Sequence, residues 1–519
     1  MPPALDAASD FADLPALLAR HARERPQALA LVVGARRMAY AELDALVDRV
    51  AASLQRDGLR PQQTVAICAA ASVAYLAVFL GALRAGLAVA PLAPSATPAQ
   101  WLDMAHDADA RRLFVDGEVA AALGPTLAGT GLPSTRLDTL EALEAPGSDA
   151  GWLLPAPARP APVAIAPDWA FNLIYSSGTT GTPKGIVQAH AMRWAHIQRA
   201  RLSGYAEDSV TLIATPLYSN TTLVAVIPTL ACGGCVVLMP KFDALGYLQR
   251  AQAERATHTM LVPVQYQRLM ARPDFDRFDL SSFRMKMCTS APFHAALKAD
   301  VLARWPGGLV EYYGMTEGGG TCILQAHLHP DKLHTVGRPA DGHDVRLIDE
   351  QGRQVTEAGA SGEVVGRSPG MMTGYHKQPA KTAEAEWFDD AGRRFIRTGD
   401  VGRFDADGFL TLHDRRKDMV ISGGFNIYPS DLEAVLRTHP AIADAAVVGV
   451  PSAEWGETPV AYVVRRAGHA DSADELRQWF NAQVGKTQRL SGLRLVAELP
   501  RSAIGKVLKR ELREAWQAG

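Results

Sequence analysis

The chain has 519 residues, more than one ordinary hydrophobic core organises, so two or more domains are expected. Hydrophobic residues make up 48% and charged residues 21%, the balance of a globular protein in water. A formal net charge of −2, with acids and bases mixed along the chain, excludes an overall electrostatic case for nucleic acid or an anionic membrane as partner.

The opening "MPPALDAASDFADLPALLAR" carries acids and no basic region ahead of an apolar run, which is not the pattern of a secretory signal. "AYAELDALVDRVAASLQRDG" has apolar residues at helical spacing and stops at a glycine, so a helix is predicted there. The most membrane-like stretch, "AAASVAYLAVFLGALRAGLAVAPLAP", is interrupted by Arg84 and by glycines. Its unbroken apolar part is short for a span, and the expected structure is a buried helix running into a buried strand. "TVAICAA" and "CVVLMP" are apolar runs of the buried-strand type. Leu153 to Pro167, rich in proline and alanine, reads as a stiff surface connector. The alternation of helix and strand signals through the first 400 residues predicts layered α/β architecture with mostly parallel sheets.

Five cysteines, an odd number, argue against a disulfide framework and for a reducing, cytoplasmic setting. Cys232 and Cys235 form a CxxC, but no second pair at matching spacing exists for zinc. They are read as small residues flanking a turn. Around Leu412 to Gly424 the pattern changes. Beyond it come a helix at "PSDLEAVLRTH", two strands, a helix at "SADELRQWFNAQV" and a basic tail, enough for a small α+β domain of about 100 residues. The boundary is placed inside "DRRKD", giving domains 1–414 and 415–519.

Four segments carry chemistry. In "IYSSGTTGTPKGIV" glycines let backbone N–H groups face one point, and Ser176, Ser177, Thr179, Thr180 and Thr182 add hydroxyl donors. Gly178 and Gly181 supply the conformational freedom, and Lys184 adds a point charge suited to phosphate oxygens. A strand leads in, and a helix is expected from Gly185 onward. The GxxxxGK[ST] spacing of a Walker loop is absent. In "YYGMTEGGG", Thr316 and Glu317 are oxygen donors suited to Mg²⁺, and Tyr313 offers a flat face for a base. In "RTGDVGRFDADGF", Asp400 is expected at a turn after a strand, where a carboxylate accepts ribose hydroxyls. Arg415 suits a phosphate or the ribose. Asp405 and Asp407 are read as parts of a hairpin turn. Lys506 follows Gly505 in a loop ahead of a basic helix.

Together, in this order, these segments resemble the acyl- and aryl-CoA synthetases of the adenylate-forming superfamily. That superfamily also holds firefly luciferase and the adenylation domains of peptide synthetases. The resemblance runs from "ARERPQALALVVGARRMAYAELDALVDRVA" to "GKVLKREL" and rests most on "YSSGTTGTPKG" and "YGMTE". It implies a cytoplasmic, AMP-forming carboxylic acid–CoA ligase using ATP, Mg²⁺ and coenzyme A, with a small mobile C-terminal domain. It assigns Ser176 to Lys184 to the β- and γ-phosphates. Ser290, Ala291 and Pro292 would border one side of the adenine, with Glu311, Tyr312, Tyr313 and Gly314 on the other. Thr316, Glu317 and Thr179 would serve phosphate and metal, Asp400 the ribose, and Arg415 the region next to the hinge. Lys417 matches the hinge itself and Lys506 the catalytic lysine. Ser422, Gly423 and Gly424 would border the pantetheine tunnel, and Trp455 is either a coenzyme A contact or a packing residue.

The acyl pocket is expected to draw on Tyr218, Ser219, Asn220, Gln265, Gly318 and Gly319. Ser219 stands where the family often has a histidine or another aromatic, and it reads as a hydrogen-bonding residue or as a source of room. Gly318, Gly319 and Gly320 suggest a roomy wall. The absence of arginine and lysine from the segments that would line the pocket, Tyr218 to Thr222, Val262 to Gln265, Ser290 to Pro292 and Gly314 to Cys322, argues against a dicarboxylate and for an aromatic or medium-length aliphatic monocarboxylic acid. The alternative is an adenylating enzyme that delivers to another acceptor, a carrier protein or an amine. No membrane span and no nucleic acid partner are expected. A homodimer is compatible with the sequence, which does not define the oligomeric state.

Overall fold

The computed structural model describes residues 11–138, 151–176, 184–415, 418–422, 425–452, 455–485, 488–502 and 505–518. Four sheets organise these residues. One has seven described strands in the spatial order 374–375, 184–189, 170–176, 88–92, 64–68, 110–115, 134–136. From 170–176 to the 134–136 edge neighbouring strands are parallel, whereas 184–189 is antiparallel to both its neighbours. A second, nine-stranded sheet has a parallel block of 29–33, 235–238, 210–213, 258–261, 285–288 and 308–313. Antiparallel strands 36–39, 322–325 and 338–339 finish its edges.

The local structure follows from composition. Thr64–Cys68 and Ala88–Leu92 are buried along their whole length, as strands covered on both faces must be. Helix Tyr40–Arg56 starts where Glu42 accepts a hydrogen bond from the Ala39 N–H at 2.7 Å. The membrane-like stretch is helix Val73–Arg84 followed by the buried strand Ala88–Leu92, as expected. Arg84 binds Asp44 and Asp48 on the neighbouring helix at 2.5 and 2.7 Å. At Gly81 that helix comes so close to Val50 that a Cβ would lie 2.5 Å from Val50 Cγ1. Among the described residues no helix is long and apolar enough to cross a membrane. The proline-rich connector has no helix or strand and is strapped across helix 40–56. Arg49 donates to Leu154 O at 2.8 Å, and the Gln55 amide exchanges hydrogen bonds with Ala161 at 3.0 and 2.7 Å.

The expected α/β class with mostly parallel sheets is what the two large sheets show. The alternation does not continue to residue 400, however. Within residues 344–415, strands 344–348, 354–355, 361–367, 386–388, 394–404 and 410–415 form a third, wholly antiparallel sheet, while 374–375 joins the first. Short runs separated by turns such as "DEQGR" and "DDAGRR" favour hairpins over crossovers there. A fourth sheet, 420–422, 425–427, 442–452, 456–465 and 492–496, packs with helices Pro429–Leu436, Ala473–Gln483 and Lys509–Gln517 around its own apolar core. The third sheet ends at Arg415 and the fourth begins at Val420.

All five cysteines are buried and free, and Cys232 and Cys235 flank the turn from helix Asn220–Ala231 into strand Cys235–Leu238.

Candidate active site

Two paired strands flank the hydroxyl-rich stretch. Strand Ala170–Ser176 pairs antiparallel with Lys184–Ala189, so that Ser176 and Lys184 face each other in register. The helix expected from Gly185 is therefore corrected: a strand follows the loop and the helix begins only at His190. The apolar, β-branched "GIV" extends easily, and its outer edge is paired with Gly374–Tyr375. Ser177, Gly178, Thr179, Thr180, Gly181 and Thr182 lie outside the described residues, as do Lys417, Gly423 and Gly424.

That third strand brings in a residue the sequence reading missed. The Lys184 ammonium lies 5.0 Å from the centre of the Tyr375 ring, a cation–π distance. The Tyr375 hydroxyl donates to Glu317 Oε1 at 2.8 Å, and burial beside this carboxylate pushes the phenol's pKa up. Glu317 is also tied by its backbone, since Met372 N–H donates to Glu317 O at 2.8 Å. Thr316 O accepts from the Gln188 side chain at 2.7 Å. Gln188 belongs to a buried amide–guanidinium network. Its Oε1 accepts from Asn172 Nδ2 at 3.0 Å and from Arg193, while Arg193 also donates to Asn172 Oδ1 at 2.8 and 3.1 Å. With neutral acceptors instead of a carboxylate, desolvation brings the Arg193 pKa down to about 9. The strand pair 170–176 and 184–189 and the Thr316–Glu317 segment are thus one hydrogen-bonded unit.

The Tyr313 hydroxyl donates to Asp400 Oδ2 at 2.8 Å. Asp400 is not at a turn after a strand. It sits within strand Arg394–Phe404, at a register shift between Asp400 and Gly402, opposite Arg415 in the pairing. A bulge re-aims a side chain without ending the strand. Asp405 and Asp407 are structural, as expected: Asp405 Oδ1 accepts from the Asp407 and Phe409 N–H groups, and both carboxylates bind Lys332 at 2.8 and 2.6 Å. Ser290, Ala291 and Pro292 leave the C-terminal end of strand Met285–Cys288, with Ser290 at φ 83° and its hydroxyl on Thr221. Backbone strain of this kind persists where surroundings over-determine it. The Glu311 side chain is buried against Lys298 and faces no open space, so only its backbone is available to a base.

The acyl side departs from expectation. Ser219 caps helix Asn220–Ala231, its hydroxyl accepting from Thr221 N–H. Gln265 uses both ends structurally, with Oε1 on Val262 N–H at 3.1 Å and Nε2 on Ala214 O at 3.0 Å. Both side chains are oriented by these backbone bonds, while the Ser219 O–H remains a donor. Asn220 Oδ1 is buried without a hydrogen-bond partner among the described residues. Tyr218 is half-buried beside Ser95, and desolvation raises its pKa. The glycine wall is filled rather than roomy. A Cβ on Gly318 would lie 1.8 Å from Gly370 O, and one on Gly319 would lie 2.6 Å from Ile396 Cβ. Gly320 likewise meets Val345 and Gly366. The third sheet takes the space that side chains would need.

From the C-terminal unit, residues 501 and 507 form a β-bridge around the lysine turn. Ser502 N–H donates to Lys506 O at 2.8 Å, and Arg501 donates to Gly505 O at 2.7 Å. Gly505 is buried against Val264 and Val262, so close that a Cβ would lie 2.9 Å from Val264 Cγ1. The turn that carries Lys506 is thereby seated on the segment leading into helix Pro263–Met270. Ser422 is buried and pairs with Gly456, next to the exposed Ile421 and Trp455.

The AMP-binding enzyme family matches residues 18–376, and the AMP-binding enzyme C-terminal domain matches residues 431–506. A feruloyl-CoA synthase of Amycolatopsis sp is 34% identical over 96% of this chain and 98% of its own. An indoleacetate–CoA ligase of Aromatoleum aromaticum is 32% identical over 95% and 96%. Among solved structures, ATP-bound MatB from Rhodopseudomonas palustris superposes with a TM-score of 0.85 at 30% identity, covering 98% of this chain and 99% of MatB. The amide bond synthetase McbA from Marinactinospora thermotolerans gives 0.85 at 29% identity, covering 96% and 99%.

Proposed function

The chain belongs to the AMP-binding enzyme family and is an adenylate-forming ligase of the acid–CoA type, and from that premise we propose that it activates an aromatic monocarboxylic acid as its acyl-AMP and passes the acyl group to coenzyme A. A carboxylate is a poor electrophile because its charge is delocalised and oxide is a bad leaving group. Its attack on the α-phosphate of ATP releases pyrophosphate and makes a mixed anhydride. The thiol of coenzyme A then attacks the acyl carbon, and AMP leaves.

One observation carries this reading: Tyr375 and Asp400 hydrogen-bond to the two ends of the single stretch Tyr313–Glu317 from distant parts of the chain, and the Lys184 ammonium lies over the same Tyr375 ring. In this reading the hairpin loop from Ser176 to Lys184 holds the β- and γ-phosphates. Asp400, fixed by Tyr313, accepts the ribose hydroxyls. The backbones of Ser290–Pro292 and Glu311–Gly314 flank the adenine. Lys506 bridges the incoming carboxylate and the α-phosphate, lowering the repulsion between two anions. Arg415 and Lys417 stand at a boundary between domains 1–414 and 415–519, about which the C-terminal unit turns to remove Lys506 and bring Ser422, Gly423, Gly424 and Trp455 to the thiol.

Among the described residues no group of three or more His, Cys, Asp or Glu is placed to hold a metal ion. Glu317 and the Thr316 hydroxyl are instead hard oxygen donors of the kind that share Mg²⁺ with phosphates, with Thr179 as a further candidate. Bound there, Mg²⁺ would supply charge neutralisation at the phosphate oxygens. Tyr375 keeps Glu317 oriented toward that task.

A panel of carboxylic acids with ATP, Mg²⁺ and coenzyme A, scored by pyrophosphate release and thioester mass, tests the proposal. Aromatic monocarboxylic acids are expected to give both products. Pyrophosphate release without a thioester would assign the acyl group to another acceptor, as the likeness to an amide bond synthetase allows.

A further inference from the structure

The acyl side holds a cation that no motif announced. Tyr312 and Tyr313 are successive residues of strand Gly308–Tyr313, so their side chains point to opposite faces. Tyr313 reaches Asp400 and the nucleotide side. Tyr312 therefore faces the other way, and there the Arg199 guanidinium carbon lies 5.7 Å from its ring centre. Arg199 comes from helix His190–Leu202, which leaves the phosphate hairpin directly.

The titratable groups around Arg199 are two histidines and the Tyr312 phenol. His196 and His343 interact with it, and Arg193 lies next to His196. Arg193 is committed to Asn172 and Gln188. His343 Nδ1 accepts from Thr321 N–H at 3.0 Å, and burial holds its pKa down to about 4, so it is neutral. Burial and the neighbouring arginines likewise keep His196 neutral. Among the described residues no carboxylate forms an ion pair with Arg199 and no hydrogen bond is made to its guanidinium. The Tyr312 ring face offsets only part of its desolvation. A partly buried guanidinium with a free donor fork is a site for a planar oxygen acceptor.

We infer that Arg199 is a specificity-determining residue that binds an oxygen acceptor on the acid substrate, remote from the carboxylate that is activated. The inference rests on the ligase reading in taking this face as the acid's pocket. The acceptor is a ring hydroxyl, in keeping with a monocarboxylic acid, or a second carboxylate, which would replace that reading by an aromatic dicarboxylic acid, since both present oxygen to the fork. This revises the expectation that the acyl side lacks a cation. The cation belongs to a helix outside the segments from which that expectation was drawn.

The test compares phenylpropanoate with its para-hydroxy and para-carboxy derivatives. Binding is read by thermal shift in the presence of ATP, and turnover by pyrophosphate release. The wild-type chain should favour at least one oxygen-bearing acid by about tenfold or more over phenylpropanoate, the discrimination expected of a charged hydrogen bond. Preference for the hydroxy acid identifies a ring hydroxyl, and preference for the carboxy acid identifies a second carboxylate. Arg199→Met should collapse that ratio toward one. Arg199→Lys, which keeps the charge and the fold but loses the fork, should lower it to an intermediate value and decides the matter if the methionine variant does not fold. Equal handling of all three acids by the wild type, or an unchanged ratio in the lysine or methionine variant, overturns the inference. Binding needs no turnover. An acid ranking without pyrophosphate release would contradict the adenylation reading and still leave the role of Arg199 measured.

Discussion

Tyr312 and Tyr313 stand next to each other on one strand and open onto two different kinds of surface. On the Tyr313 face the polar groups engage one another across long stretches of chain, as in Tyr313–Asp400 and Tyr375–Glu317. The Tyr312 ring instead faces the Arg199 guanidinium. Elsewhere, the polar residues expected to meet an acid, Ser219 and Gln265, bind backbone at the starts of two helices, and Asn220 Oδ1 has no hydrogen-bond partner among the described residues. The difference teaches how function is written in the two places. Binding a triphosphate and ribose demands particular donors and acceptors at fixed spacing, and such patterns are visible in a sequence. Binding the body of an acid demands shape, which many residues make jointly.

The largest expected effect falls on the nucleotide face. Lys506→Ala should lower acyl-AMP formation by about a thousandfold, the scale of losing a charge-stabilising donor, while thioester formation from supplied acyl-AMP persists. Equal losses in both half-reactions would remove the lysine from its assigned step. Next comes the packed glycine wall. Gly318→Ala places a Cβ 1.8 Å from Gly370 O at a residue with φ 71°, and should cost about 3 kcal/mol or more in thermal or chemical denaturation. A variant of normal stability with a narrowed range of acids would show that the wall is open to substrate after all.

Asp400→Ala should weaken ATP binding by about tenfold, as expected for a lost hydrogen bond to a charged group, with little change in acid preference. Unchanged nucleotide affinity in calorimetry would place the ribose elsewhere. The smallest effect sharpens the contrast between the faces. Gln265→Ala should lose about 1 kcal/mol of stability through the helix start it caps, yet keep the same ranking of acids. A changed ranking would return Gln265 to the pocket.

Much of the fold was legible. Buried strands, the helix of residues 40–56, the apolar helix–strand pair and the C-terminal elements all follow from periodicity and breakers. The strand after the phosphate loop was not, because "GIVQA" is too short for periodicity to separate helix from strand. Asp400 was read as a turn residue because "TGD" looks like one, whereas pairing on both sides makes it a bulge. Tyr375 and Arg199 carried no motif, since each acts through a partner far away in the chain.

What the sequence by itself determined is the family and its motifs, the groups here proposed to handle phosphate, ribose and a carboxylate, because these depend on residue types at short, regular spacing. What only the tertiary structure decided is which polar groups the fold leaves without partners. Hydrogen bonds to distant backbone use up some, a neighbouring sheet fills the space beside the glycines, and a helix from another segment delivers the guanidinium. A polar side chain's availability depends on everything packed around it, and long-range packing assembles those neighbours.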